Sequence, residues 1–367
     1  MAQAANRTGL RVLIAGGGTG GHVIPALAIA RELRDAAGAE VRFVGTARGL
    51  ETRLVPEAGF PLELIRVGQL KNVSMATRLR TLMDLPLGVT RCIRLLREFR
   101  PDVVVGVGGY ASGPAMMAAL LLRVPTLAFE PNAVPGLANR LVGRLVTAAA
   151  VNFEETRRYF RRARVTGTPV RPEFFAIGKK APSEGKRLLV FGASQGARVF
   201  NELMPKIMER LLTAFPKLDV VHQTGGRHGD TTLAIYRSVG VGFERVRVTP
   251  YLDDMAAQFA AADLILCRSG ASTIAELAAA GRASVLVPFP QAADDHQRKN
   301  ADAFVIAGAA HMIVESSLNE ESLLEVLLDL LADDAHRQGM AEQAWALAHP
   351  AAVKAIGAMI LQLANHK

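Results

Sequence analysis

Cysteine and long apolar runs are both scarce in this chain of 367 residues. The two cysteines, Cys92 and Cys267, show no spacing typical of a disulfide framework or a zinc site, and we expect both to be buried thiols. No apolar stretch reaches the roughly 18 residues that span a bilayer. The nearest, Pro114 to Leu122, is ended by Arg123. Met1 to Arg11 lacks the apolar core of a signal peptide, so the sequence predicts a cytoplasmic protein.

Several motif classes are missing as well. Aromatic residues make up only 5% of the chain and no nucleic-acid module is recognisable, so nucleic acid is not an expected partner. No glycine loop ends in Gly-Lys-Ser or Gly-Lys-Thr, which argues against nucleoside triphosphate hydrolysis. No Asp-x-Asp motif is present to hold a metal-bound diphosphate, and we therefore predict no obligatory metal or other cofactor.

Positive charge is concentrated in the first half of the chain. Residues 1–170 carry 23 Lys and Arg against 12 Asp and Glu, a net +11, whereas residues 171–367 carry a net −2. Within Arg66–Arg100, basic residues alternate with apolar ones; the basic residues include Lys71, Arg78, Arg80, Arg91, Arg94 and Arg97. Two interpretations stay open: a surface that rests on anionic lipid headgroups, or an amphipathic helix pair with a solvated basic face.

Short β-branched runs alternate with helical patterns, which is typical of parallel sheets flanked by helices. The chain is also longer than one hydrophobic core usually supports. We therefore predict an α/β fold of two Rossmann-like parallel-sheet domains that face each other across a cleft, residues 1–170 and 171–348. The last helical pattern pauses at His349 and Pro350, so residues 349–367 are expected to pack back on the first domain. The strand-like runs are Arg11–Ile14, Val41–Val44, Leu62–Ile65, Val103–Val105, Thr126–Phe129, Leu188–Phe191, Val220–His222, Val246–Val248, Leu264–Leu266 and Val285–Val287.

Each predicted domain opens with a strand, a glycine-rich turn and a helix. The two turns are Gly16–Gly21 and Gly192–Gly196. Glycine permits positive φ and close approach of a ligand oxygen, and the helix that follows directs unpaired N–H groups at that oxygen. The chain therefore offers two anion cradles. The first turn also matches a dinucleotide fingerprint, but the second strand ends in Phe43–Thr46 without an acidic residue, which disfavours a nicotinamide enzyme.

Two polar segments follow strands in the second half. Arg268–Thr273 leads into a predicted helix with Glu276 about one turn inside. A carboxylate there either accepts hydrogen bonds from both hydroxyls of a ribose or simply stabilises the start of the helix by its negative charge. Pro288–Asn300 is dense in hydrogen-bonding groups, which suits a sugar ligand, although a solvated surface loop has the same composition.

Six motifs occur in order between about Val12 and Gly308: Gly17–His22, Gly108–Pro114, Glu130–Asn132, Gly167–Arg171, Gly192–Ala197 and Arg268–Thr273. Together they resemble the MurG family, bacterial N-acetylglucosaminyltransferases that complete the lipid-linked peptidoglycan disaccharide. The resemblance implies the glycosyltransferase B (GT-B) architecture, with the acceptor held by the N-terminal domain and the sugar donor mainly by the C-terminal one. Phe129 departs from the pattern, because many relatives carry histidine there.

The resemblance also implies substrates and site residues. UDP-N-acetylglucosamine is the implied donor, undecaprenyl-diphosphate-N-acetylmuramoyl-pentapeptide the acceptor, and a β-1,4-linked disaccharide the product. The implied location is peripheral, on the cytoplasmic face of the plasma (inner) membrane, and association with cell-wall or division proteins stays open. Leu252 matches a family residue whose backbone lies near the uracil of the donor. Glu276 matches the family's ribose-binding carboxylate. Gln297 lies in a loop that varies among relatives. The full set matching the family's donor site is Thr19, Gly20, Gly21, Asn132, Arg171, Ser194, Leu252, Glu276 and Gln297.

Inversion at the anomeric carbon requires one in-line displacement, in which the acceptor hydroxyl attacks as UDP leaves. We expect Arg171, Ser194 and the helix starts near Gly196 and Ser272 to stabilise the leaving diphosphate. The candidate base is His22, because imidazole titrates near neutral pH, and Glu130 is the alternative. No role is assigned to Asp295 and His296.

Three rival functions are weighed against this one. The first rival is a transferase of the same architecture that acts on another lipid acceptor, since one fold hosts many functions. Only assays with different acceptors would distinguish it. A nucleotide-sugar sensor without turnover is disfavoured by the two glycine turns together with His22, Glu130 and Glu276. A dinucleotide oxidoreductase ranks last.

Overall fold

The computed structural model describes residues 9–67, 75–180, 185–193, 195–240 and 244–365, and for residues 75–84 it describes the backbone alone. The chain divides into two compact units. Unit 1 comprises Met1–Pro169 and His349–Lys367, and unit 2 comprises Val170–Ala348. Each unit is built on one parallel sheet with helices, which confirms the predicted α/β fold class.

The described residues form seven strands in unit 1 and six in unit 2. The strands of unit 1 are β1 (Arg11–Ala15), β2 (Glu40–Gly45), β3 (Leu62–Leu64), β4 (Val103–Gly106), β5 (Thr126–Glu130), β6 (Ala148–Val151) and β7 (Ala163–Val165). The strands of unit 2 are β8 (Arg187–Phe191), β9 (Asp219–Gln223), β10 (Val246–Thr249), β11 (Leu264–Cys267), β12 (Ser284–Leu286) and β13 (Ala310–Met312). All ten strand-like runs of the sequence overlap these strands, whereas β6, β7 and β13 were not predicted.

The helices follow the strands in alternation. Those up to the end of the first sheet are α1 (Gly20–Ala37), α2 (Glu51–Glu57), α3 (Met75–Phe99), α4 (Ser112–Leu121) and α5 (Leu137–Val142). Those of unit 2 are α6 (Pro172–Phe175), α7 (Arg198–Ala214), α8 (Gly229–Ser238), α9 (Met255–Ala261), α10 (Ala271–Ala280), α11 (His296–Ile306), α12 (Glu320–Ala332) and α13 (Asp334–Ala346), and α14 (Ala352–Asn365) returns to unit 1. Within the described ranges, no helix is both long and apolar enough to cross a membrane.

From Met75 onward, the described part of the basic stretch forms a single helix, α3. Pro86 lies inside this helix. Lys71 lies outside the described residues, and the side chains of Arg78 and Arg80 are likewise not described.

The sheet of unit 1 has the order β3-β2-β1-β4-β5-β6-β7 and carries a core on each face. Successive side chains of a strand point to opposite faces. Val12 and Ile14 of β1 therefore lie in one core with residues of α1 and α14, while Leu13 and Ala15 lie in the other with residues of α3 and α4. Cys92 is a buried free thiol in the second core, and Cys267 is buried in β11, as the sequence predicts.

Helix α14 completes the first core of unit 1. It contacts α1, and its Ile356 and Ile360 are fully buried there. Gly357 brings the two helices close, because a Cβ at this position would lie 3.3 Å from Cγ of Glu32. The C-terminal segment thus supplies apolar surface to the sheet formed by the N-terminal half of the chain.

The sheet of unit 2 has the order β10-β9-β8-β11-β12-β13. Leu188 and Val190 of β8 pack with Phe200 and Met204 of α7 in a core that also includes Leu327 of α12. The central strands β8 and β11 are buried and nearly all apolar, as is usual for parallel sheets that are covered on both faces.

Both sheets have a topological switch point, where successive strands are added in opposite directions. It lies between β1 and β4 in unit 1 and between β8 and β11 in unit 2. Loops at the carboxyl ends of the two strands diverge at such a point, and ligands of open parallel sheets bind in the crevice between them. The two glycine-rich turns follow β1 and β8, so each begins at the switch point of its own sheet.

Candidate functional site

The first glycine turn uses half of its backbone donors to fix itself. The N–H of Gly16 donates to Val44 O at 3.0 Å and that of Gly17 to Gly108 O at 3.3 Å. The N–H of Gly18 donates to a carboxylate oxygen of Glu51 at 2.7 Å. The next three N–H groups, those of residues 19–21, have no acceptor among the residues that the structure describes. They begin α1, where a helix has no intrahelical partners for its first donors.

The turn after β4 interlocks with the first glycine turn. Gly109 has φ +80°, and a Cβ on it would overlap the carbonyl oxygen of Gly17. The ring of His22 lies against the same turn, since a Cβ on Gly108 would be 2.9 Å from Nε2. On the other side of the ring, Nδ1 is 3.4 Å from the hydroxyl of Thr19. His22 is therefore held between the two loops of the unit 1 switch point.

Glu130 ends β5 and is only 2% exposed. Each carboxylate oxygen accepts two hydrogen bonds: Oε1 from the backbone and side-chain N–H groups of Asn132 at 3.0 and 3.1 Å, and Oε2 from Gly136 N and Asn139 Nδ2, both at 3.0 Å. Burial raises the pKa of Glu130, and the hydrogen bonds from the two asparagines oppose that shift. The carboxylate thereby orders the loop that carries Asn132.

The second glycine turn is built in the same way as the first. Gly196 has φ +71°, and a Cβ on it would overlap the carbonyl oxygen of Thr224, the first residue after β9. That carbonyl also accepts a hydrogen bond from Asn201 Nδ2 of α7 at 3.0 Å. Helix α7 begins at Arg198, two residues later than the sequence suggested. Ser194, assigned to the donor site, lies outside the described residues.

Hydrogen bonds join the turn after β11 to helix α11. Ser269 Oγ donates to the carbonyl of Gln297 at 2.8 Å, and Asn300 Nδ2 donates to the carbonyl of Ser269 at 3.2 Å. The side-chain oxygen of Gln297 accepts the N–H of Phe289 at 3.0 Å. Gln297 is thus fixed by its own loop, beside the turn that starts α10.

The sequence indicates Arg268 only as part of a motif, with no role of its own. In the structure it organises the loop after β12. Its buried guanidinium pairs with Glu315 at 2.5 Å and donates to the carbonyls of Val287 and Pro288, both at 3.2 Å. The guanidinium carbon also lies over two aromatic rings, those of Phe200 and Phe289, at 5.3 and 5.4 Å from their centroids. The sequence carried no signal for this role, because all the partners are distant along the chain.

Arg171 and Glu276 come together in unit 2. Arg171 Nη2 lies 3.7 Å from the Glu276 carboxylate, and Nη1 lies 3.3 Å from Glu173. The guanidinium also covers the ring of Phe174 at 4.8 Å. Burial raises the pKa of Glu276 to about 7, and Arg171 opposes the shift. The sequence assigned both residues to one donor site, and they are neighbours.

The remaining assigned positions lie in loops after strands. Leu252 follows β10 with its side chain buried, and nearby Asp254 caps α9 by accepting the N–H of Ala257 at 2.9 Å. Asp294 and Asp295 are consecutive residues with φ +55°, a conformation that favours glycine. His296 Nδ1 lies 2.7 Å from the carbonyl of Ala293. Among the described residues, no group of three His, Cys, Asp or Glu side chains is placed to hold a metal ion.

The assigned residues divide between the two units. Thr19, Gly20, Gly21, His22, Glu130 and Asn132 lie at the carboxyl ends of strands in unit 1, and Arg171, Leu252, Glu276 and Gln297 lie in unit 2. Sequence reasoning missed Glu51. The one signal for it was a carboxylate in a short segment rich in glycine, Gly45–Glu51.

Comparison with known proteins defines the family. Residues 12–151 match the glycosyltransferase family 28 N-terminal domain, and residues 187–356 match the glycosyltransferase family 28 C-terminal domain. The "UDP-N-acetylglucosamine--N-acetylmuramyl-(pentapeptide) pyrophosphoryl-undecaprenol N-acetylglucosamine transferase" of Anaeromyxobacter dehalogenans (strain 2CP-C) is 44% identical, over 98% of this chain and 94% of its own. The protein of the same name from Nitrosococcus oceani is 43% identical, over 97% of this chain and 99% of its own.

A solved structure agrees with the sequence relatives. The crystal structure of Acinetobacter baumannii MurG has 31% sequence identity and a TM-score of 0.79, covering 96% of this chain and 99% of its own. The chain is therefore a glycosyltransferase with two parallel-sheet domains. It belongs to glycosyltransferase family 28.

Proposed function

We propose that this enzyme transfers N-acetylglucosamine from UDP-N-acetylglucosamine to the 4-hydroxyl of undecaprenyl-diphosphate-N-acetylmuramoyl-pentapeptide, with inversion. The product is the β-1,4-linked, lipid-borne disaccharide used in peptidoglycan synthesis. The observation that carries the proposal is the pair of glycine turns, each at the switch point of its own sheet. Two diphosphates take part in this reaction, one in each substrate, and both need backbone donors. The names of the Anaeromyxobacter and Nitrosococcus relatives support the same substrates.

Residues of each unit are assigned to the donor. Glu276 accepts the ribose hydroxyls, and Arg171, 3.7 Å from it, supplies positive charge for the leaving diphosphate. The backbone near Leu252 contacts the uracil. The other assigned donor contacts are Thr19, Gly20, Gly21, Asn132, Ser194 and Gln297. Because the chain supplies these charges and donors itself, we propose that catalysis needs no obligatory metal.

His22 is the proposed base. Its imidazole lies at the start of α1, directly after three N–H groups for which the described part of the chain holds no acceptor. Glu130, the alternative, is 2% exposed, and its two oxygens already accept four hydrogen bonds. A carboxylate engaged in this way orders its loop and has little remaining capacity to accept a further hydrogen bond from the acceptor hydroxyl.

The proposed membrane surface lies on helices of unit 1 that pack together, α3 with α4 and α4 with α5. Arg91, Arg94 and Arg97 of α3 are exposed. Four leucines on these helices and the turn after α5 are unusually exposed: Leu87 (68%), Leu121 (63%), Leu141 (65%) and Leu145 (63%). Basic side chains among exposed apolar ones favour anionic lipid headgroups, which fits peripheral binding to the cytoplasmic face of the inner membrane. Cell-wall or division proteins remain proposed partners, with no surface assigned to them.

The function is tested by turnover of purified protein in excess chelator. We expect UDP to be released from UDP-N-acetylglucosamine only when a lipid-linked muramoyl-pentapeptide acceptor is present. Calorimetric binding of the donor is measured in parallel. Donor binding without UDP release in the presence of an active acceptor would favour a sensor or a different acceptor, and loss of turnover in chelator would contradict metal independence.

His22→Ala is expected to lower kcat by about a hundredfold or more and to change the donor KM by only a few-fold, because general base catalysis contributes roughly 10²–10⁴. The measurement is steady-state kinetics with both substrates varied. His336→Ala, an exposed histidine of α13, is the matched control and should behave as the wild type. A near-normal kcat for His22→Ala would remove the base assignment.

The donor KM is expected to depend on pH through Glu276. Because the pKa of this carboxyl is raised to about 7, it is largely protonated at pH 6 and largely ionised at pH 8, and the ionised form accepts both ribose hydroxyls. The donor KM should therefore fall about tenfold between these pH values. Glu276→Gln should raise the KM and remove this dependence, whereas the exposed Glu342→Gln should preserve it. A variant in which kcat alone falls would refute the ribose role.

The membrane surface is tested with Arg91→Gln/Arg94→Gln. At roughly 1 kcal/mol per basic residue near an anionic surface, the double variant should bind anionic phospholipid vesicles about 30-fold more weakly. Activity on a soluble acceptor analogue should not change. Arg237→Gln/Arg247→Gln removes the same charge from exposed positions of unit 2 and is the control, measured by vesicle sedimentation. Equal vesicle binding by both double variants would contradict the proposal.

A further inference from the structure

Glu51 is a buried carboxylate directly beneath the first glycine turn. It lies in the first turn of α2 and is only 1% exposed. One oxygen accepts the N–H of Gly18 at 2.7 Å. The other accepts two hydrogen bonds from Thr46, from its N–H at 2.9 Å and from its hydroxyl at 3.0 Å. In return, the N–H of Leu50 donates to the carbonyl of Gly18 at 3.2 Å, so the turn and the start of α2 are joined in both directions.

Three glycines make the space that this carboxylate occupies. A Cβ on Gly17, Gly45 or Gly49 would overlap the Glu51 side chain. These glycines belong to three separate segments: the glycine turn, the end of β2 and the approach to α2. Gly17 thus contributes to the turn in two ways, since its N–H also anchors the turn to Gly108. The local sequence is shaped around one acidic side chain.

We propose that Glu51 is a positioning residue for glycosyl transfer. By accepting the N–H of Gly18, it fixes the turn so that the next three N–H groups, of Thr19, Gly20 and Gly21, point at a ligand diphosphate. The same constraint sets the start of α1 and hence the place of His22, two residues further on. The inference rests on the proposed function, because that function makes the three N–H groups substrate contacts.

The chemistry of the pocket requires a carboxylate. Three donors converge on its two oxygens, and an ionised carboxylate is the side chain that presents acceptors only. Glutamine would place an NH2 group against a donor on one side. Aspartate keeps the charge but is one methylene shorter, too short to serve both Gly18 and Thr46. Burying a charge without partners is costly, so the carboxylate holds its donors firmly.

The test separates positioning of the turn from general stability of unit 1. Glu51→Gln is compared with Val55→Ala, which removes two methyl groups from a fully buried side chain of the same helix, and with Glu57→Gln, which changes an exposed carboxylate of that helix. Amide hydrogen exchange of residues 16–22 reports on the turn, thermal melting reports on stability, and kcat/KM for UDP-N-acetylglucosamine reports on the reaction.

Glu51→Gln should speed exchange in residues 16–22 and lower kcat/KM by about 10- to 100-fold. Val55→Ala should lower the melting temperature by several degrees while leaving both other measurements within about threefold, because packing of α2 onto the core does not set the turn. Glu57→Gln should match the wild type. Thr46→Val, which removes one of the three donors, should show a smaller effect of the same kind as Glu51→Gln.

Two results would overturn the inference. One is an unchanged exchange rate in Glu51→Gln, which would mean that the turn holds itself. The other is faster exchange with unchanged kcat/KM, which would mean that the turn does not position the reacting groups. Absence of turnover in the wild-type protein would instead reject the proposed function, while the exchange data would still report on the contact between Glu51 and the turn.

Discussion

A glycine turn that follows a parallel strand and starts a helix has more backbone donors than its own chain can satisfy. Helix geometry leaves the first N–H groups without intrahelical partners, and the tight turn adds further ones. In unit 1 the chain satisfies three of these donors with Val44, Gly108 and Glu51 and leaves the next three without an acceptor among the described residues. The donors that the fold does not use are the ones that the turn can offer to a ligand.

This constraint explains why both glycine turns interlock with a neighbouring loop. A turn with unsatisfied donors has no internal reason to keep one conformation, so an adjacent backbone must fix it. In unit 1 the adjacent backbone is Gly108–Gly109 after β4, and in unit 2 it is Thr224–Gly225 after β9. A side chain at the contact glycines would overlap the opposite backbone. The glycines are therefore needed for loop-to-loop packing as much as for ligand access.

Much of the fold could be predicted from the sequence, and the elements that the prediction missed were missed for physical reasons. β4 and β11 are apolar strands that alternate with helices, and this pattern was sufficient to predict both as strands. β6 was missed because Ala148–Ala150 is rich in a helix former, and pairing with β5 and β7 outweighs that preference. Glu51 and Arg268 were missed because each acts on residues distant in the chain. Glu51 meets Gly18, 33 residues away, only because β2 pairs with β1.

Three buried or partly buried glutamates differ in the number of hydrogen bonds that their carboxylates accept. Glu51 has three donors and Glu130 has four, so each is committed to ordering a loop. Within the described residues, the ion pair of Glu276 is with Arg171, and that contact is long at 3.7 Å. Burial raises the pKa of Glu276 to about 7, the nearby carboxylate of Glu173 adds to the shift, and Arg171 opposes it. The proposed ribose ligand would bring two hydroxyl donors to Glu276, whereas the oxygens of Glu51 and Glu130 already accept hydrogen bonds from the protein.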